Sequence, residues 1–139
     1  LRREWVRKIF CLAVLAFSLN AEEIFNLSIK DALESEAAKK YILPNVKVEF
    51  ASGYDGERIV VGATASRKQK GDMSEKVQKC QTAFLDAVNA FQRRNQREGG
   101  TKAVNIVSFL YGKEFSSKTE FQCLYTNKFT VRLQGDIAK

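Results

Sequence analysis

Apolar and polar residues alternate from Val46 to Phe50, with Lys47 and Glu49 between Val46, Val48 and Phe50. A period of two is that of a half-buried strand. Residues 58–66 are also β-rich, with Ile59, Val61, Ala63 and Ala65 on one face. The cluster Ser52-Gly53-Tyr54-Asp55-Gly56 between them reads as a turn, so the two strands are expected to pair as a hairpin. The period then lengthens. Met73, Val77, Cys80, Phe84, Val88 and Phe91 form one stripe at helical spacing, which predicts a long helix over about 73–98. Asp72 with Glu75 makes a capping signature, and Gly99-Gly100 ends the pattern. Three more strands follow: a nearly continuous apolar run at 103–111, then 119–125 with Phe121, Cys123 and Tyr125 on one face, then the alternation of Phe129, Val131, Leu133 and Ile137. Tyr125-Thr126-Asn127-Lys128 predicts a tight hairpin and residues 112–118 a looser one.

Ahead of these elements, residues 22–44 read as a leading segment with one short helix. Ser28 caps it, Asp31 stands three residues on, and Pro44 ends whatever precedes it. The predicted fold class is α+β: an antiparallel sheet of about five strands with one long helix packed on one face, plus a short N-terminal helix. The 139 residues fit one such domain, placed at 45–139.

Residues 1–21 follow a different pattern. Arg2, Arg3, Arg7 and Lys8 precede an apolar run from Ile9 to Phe17, and Ser18-Leu19-Asn20-Ala21 follows it. A basic start, a short apolar stretch and a small residue at the exit describe a secretory signal peptide, with cleavage expected after Ala21. The run is well short of the roughly 20 apolar residues that span a bilayer. Cleavage leaves no transmembrane span and places the mature chain in the periplasm.

The leader also changes the charge. The whole chain carries 23 basic and 16 acidic residues, a formal +7; losing the leader's four basic residues and Glu4 lowers that to +4. Much of the basicity belongs to the leader, so no nucleic-acid partner is expected. Cleavage removes Cys11 as well, leaving Cys80 and Cys123. An even cysteine count in an exported chain reads as one disulfide. Cys80 lies on the apolar helix face and Cys123 on an apolar strand face, so a helix laid on the sheet brings them together.

The chain has no His. This excludes Ser-His-Asp and Cys-His nucleophilic sites, and zinc or iron sites built on imidazole. No metal and no cofactor are expected. Two basic clusters remain as candidate anion-binding groups: Arg67, Lys68 and Lys70 after the second strand, and Arg93, Arg94 and Arg97 with Lys102 around the helix end. The plain reading is a solvated loop and cations matched to the helix dipole. Carboxylate catalysis would need two acids across a cleft; Glu49, Glu114 and Glu120 are candidates, on short strands or turns of a small sheet. Tyr54, Tyr111, Phe115 and Tyr125 are aromatics that could line a binding face.

Several segments together carry a family resemblance: Cys80, Ala83-Phe84-Leu85, Phe91-Gln92, Gly100, the stretch 103–109, Ser116-Ser117, the stretch 119–123 and the ending 133–139. Over about residues 75–139 the chain resembles a family of small exported bacterial proteins with no established activity, often labelled an excinuclease ATPase subunit. It is more distantly similar to the YbjQ-like fold and to the periplasmic domain of the Rcs-system stress sensor. The resemblance implies a small α+β module and transfers no catalytic residue. The ATPase label fails on the residues. The only Gly-Lys pair is Gly112-Lys113; a phosphate-binding loop requires Gly where Val107 stands and a hydroxyl residue where Glu114 stands.

The expected function is that of a non-catalytic periplasmic protein-interaction module, in envelope stress or assembly, with an envelope protein as partner. The alternative is a binder of anionic envelope lipid through the basic clusters. A carboxylate enzyme is the third reading.

Overall fold

A computed structural model describes residues 22–139; the predicted leader, 1–21, lies outside the described residues. The elements in chain order are β1 (Glu23–Ser28), α1 (Ile29–Leu33), α2 (Ala38–Tyr41), β2 (Lys47–Phe50), β3 (Arg58–Gln69), α3 (Lys76–Glu98), β4 (Lys102–Ser108), β5 (Glu120–Tyr125) and β6 (Phe129–Ala138). The fold is α+β: a mixed, mostly antiparallel six-stranded sheet with one long helix packed against it.

β6 organises the sheet. One of its edges pairs with β3 from Arg58↔Ala138 to Gln69↔Phe129. Its other edge is shared, by β5 at Tyr125↔Phe129 and Leu124↔Thr130, and by β4 from Lys102↔Ala138 to Ser108↔Leu133. β5 continues outward to β1, and β4 to β2. The tight β5–β6 hairpin is where the sequence placed it.

Three features differ from the sequence reading. First, β1 is a strand that the residue pattern did not announce. Phe25 and Leu27 are its only residues packed against the core, and Ser28 is both its last residue and the cap of α1, its hydroxyl oxygen accepting from Asp31 N–H at 3.1 Å. Second, β2 and β3 do not form a hairpin. β2 runs parallel to β4, while β3 crosses to the far edge of β6. Third, residues 112–118 do not join two paired strands, because β4 and β5 both hydrogen-bond to β6.

A polar network explains the second difference. Asn105, in a left-handed conformation (φ 56°) at a bulge of β4, takes the Tyr54 N–H on its side-chain oxygen at 2.8 Å. Its amide nitrogen donates to Tyr54 O at 2.9 Å and to Asp136 Oδ2 at 3.0 Å, and its backbone N–H donates to Ser52 Oγ at 3.0 Å. The Ser52–Gly56 cluster is therefore a crossing tied down to β4, not a hairpin turn. Asp136 is buried and also accepts Gly62 N–H at 2.9 Å and pairs with Arg58 at 3.4 Å.

α3 forms as its sequence signals require. A 3₁₀ turn at Met73–Glu75 precedes it, and the capping box is complete: Asp72 accepts from Ser74 N–H at 3.0 Å and Glu75 accepts from Asp72 N–H at 3.3 Å. Gly99 closes the helix in the left-handed conformation (φ 76°). Cys80, Phe84, Val88 and Phe91 are buried, but Met73 and Val77, at the start of the stripe, are exposed. Phe84 sits between Phe121, stacked at 4.2 Å, and Phe50 at 5.7 Å. Ala83 and Ala87 of the helix and Ala63 and Ala65 of β3 are all buried. Small side chains on both sides let helix and strand backbones approach closely.

Cys80 and Cys123 form a disulfide, with Cα atoms 5.9 Å apart, joining α3 to β5. Such a bond fits an oxidising compartment. Among the described residues no helix is long and apolar enough to cross a membrane.

Candidate functional site

The bulge at Gly62 sets the geometry of the site. Register shifts on either side of Val60 and a positive φ of 73° at Gly62 interrupt the alternation of β3. Val61, expected inside with Ile59, becomes 68% exposed, while Ala63 and Ala65 turn inward. The period of two then carries Arg67 onto the same helix-facing side.

On α3 the matching flank is Asp86, Ala90, Arg94 and Arg97, spaced by one helical turn. Arg67 Nε lies 3.5 Å from Asp86 Oδ2. Beyond that ion pair, strand and helix part around a surface cleft of about 190 Å³. It is lined by Ala63, Thr64, Ala65 and Arg67 from β3 and by Ala90, Phe91, Arg94 and Arg97 from α3. The floor is aliphatic and aromatic; the charged groups are three guanidiniums. Among the described residues, neither Arg94 nor Arg97 has a carboxylate within ion-pair distance.

The structure thus brings together three of the seven candidate cations and separates the rest. Lys68 and Arg93 are exposed and stand outside the cleft, and so does Lys70 beyond the strand end. Lys102 lies elsewhere, with its ammonium 4.1 Å from the Tyr54 ring centroid. Sequence spacing could not join Arg67 to Arg94, because strand and helix meet only through the tertiary fold.

The acids named as candidates are also dispersed. Glu49 is on β2 beside Lys47 at 4.0 Å, Glu120 starts β5, and Glu114 lies between β4 and β5. A crevice bordered by Glu120 has no room for a water molecule. Among the described residues, two titrating groups are displaced from their ordinary values, and both lie outside the cleft. Hydrogen bonds from the Ser74 hydroxyl and backbone N–H hold the Asp72 carboxyl below 3.8. The phenol of Tyr111 donates to Glu22, whose carboxylate pushes it up. The described residues hold no cluster of three or more acid or thiol ligands. Of the aromatics, Tyr125 packs on Phe129 at 4.6 Å, whereas Tyr111 is exposed.

Guanidiniums stay protonated and transfer no proton, so this cleft can hold an anion but supplies no general base. At about 190 Å³ it is smaller than the roughly 300–1,000 Å³ of pockets that enclose a whole small molecule.

A second feature adjoins it. The outer edge of β3 pairs with no other strand among the described residues.

Comparison with protein-family models, curated proteins and solved structures finds no match to this chain.

Proposed function

We propose that this protein acts without chemistry of its own, as a protein-interaction module of the bacterial envelope. In this reading the segment 1–21 directs export, is removed, and leaves a periplasmic domain locked by Cys80–Cys123. The observation that carries the proposal is the unpaired outer edge of β3, twelve residues long with Val61 turned to solvent beside it. Unpaired strand edges accept extended segments through main-chain hydrogen bonds, and neighbouring side chains set the choice of partner. The resemblance of residues 75–139 to small exported proteins without known activity supports the same reading and supplies its envelope setting.

Photocrosslinking in cells tests it. A photoreactive residue at exposed Ser66 is expected to capture one defined envelope protein. Capture should fall when Val61→Asp is added, and should be absent from a control position at exposed Lys39 on α2. Recovery of lipid alone, or equal capture from Lys39, overturns the proposal.

A further inference from the structure

We propose that the cleft between β3 and the last turns of α3 is a binding site for a phosphate group, with Arg67, Arg94 and Arg97 as its ligands. The inference is independent of the strand edge and goes beyond the interaction reading.

The dipole of α3 explains cations in its final turn. It does not explain Arg67, which a strand delivers to the same place. Nor does it explain why Arg94 and Arg97 line the cleft while Arg93, next in sequence to Arg94, stands outside. Arg67 is oriented by Asp86 at 3.5 Å, which neutralises one of the three charges. About two positive charges are left, matching a phosphomonoester dianion better than a single carboxylate. Guanidiniums suit this task because their planar forks donate paired hydrogen bonds to phosphate oxygens. Close approach of the helix to Ala63 and Ala65 gives the site an apolar floor, which strengthens each charged contact above it. The cleft's volume accommodates the phosphate and leaves the rest of the molecule outside.

Phosphate of this kind could come from a soluble phosphoester or a lipid headgroup. The disulfide-bonded protein is titrated with inorganic phosphate and with a soluble sugar phosphate. It is also floated with phosphatidylcholine vesicles with and without phosphatidic acid. Binding of the phosphate probes is expected, weakening as salt rises. Arg94→Gln and Arg97→Gln should each weaken it about tenfold, the loss of one charge-assisted contact. Arg93→Gln removes the same charge outside the cleft and should leave binding unchanged. Asp86→Asn should tighten it by releasing Arg67. Binding to soluble probes alone assigns a soluble phosphoester; retention on phosphatidic acid vesicles, lost in Arg94→Gln, assigns a headgroup. Absence of binding to every probe overturns the proposal, and so does equal weakening by Arg93→Gln and Arg94→Gln. Circular dichroism on each variant separates lost ligands from lost fold.

Discussion

Phe84 lies at the centre of the core, fully buried, with Phe121 stacked on one side and Phe50 tilted on the other. Phe84→Ala removes that ring and leaves a cavity the rigid sheet cannot fill, so it should cost about 4 kcal/mol, read from the urea midpoint. Asn105 is equally local and differently constrained. Its side chain ties β4 to the Ser52–Tyr54 crossing and to Asp136, from a left-handed backbone that Asn tolerates better than most residues. Asn105→Ala strands those partners and should cost about 3 kcal/mol in the same assay. Asp72 gives a pH-dependent case. Its pKa is lowered in the fold, first by the Ser74 hydroxyl, so its contribution is present above 3.8 and is lost as the pH falls through the lowered value. Melting temperatures of the wild type and Asp72→Ala should therefore differ at neutral pH and converge in strong acid. Asp72 and Phe84 were legible in the sequence, because a cap and a helical stripe are patterns of near neighbours. Asn105 was not. It reads as one polar residue in an apolar run, and its partners lie 31 to 53 positions away.

Among the elements, α3 and β5 touch over a short span, joined by the Phe84–Phe121 stack and the Cys80–Cys123 bond. The bond closes a separation of 43 residues, so it restricts the unfolded chain and should contribute about 4 kcal/mol. Reduction, or the double variant Cys80→Ser with Cys123→Ser, should lower stability by that amount in urea. Hydrogen exchange should show β1 and β5 losing protection first, since β1 reaches the rest of the sheet through β5. The cysteine pairing was readable from Cys80 and Cys123 lying on two apolar faces. The strand β1 was not, because an edge strand with only Phe25 and Leu27 against the core carries too little alternation. The β2–β3 hairpin was expected because adjacent strands usually pair. Here the tied-down crossing at Asn105 sends β3 to the other edge of β6.

For the whole molecule, export and folding are one prediction. Intact-mass analysis of protein recovered from the cell envelope should find the 1–21 leader gone and both thiols unreactive to alkylation until reductant is added. An unprocessed chain with two reactive thiols would break the link between leader and disulfide. The amino-acid sequence by itself determined the α+β class, the long capped helix, the disulfide partners and the absence of imidazole chemistry. Each of these is carried by composition or by residues a few positions apart, where period, caps and counts act directly. Only the tertiary structure decided the strand order, the parallel β2–β4 pair, the outward turn of Val61, and which cations share a cleft. Those depend on contacts between distant segments. Two register shifts around Val60 turn Val61 outward while Ala63 and Ala65 keep the inward face, and Arg67 meets Arg94 only once helix and strand have packed.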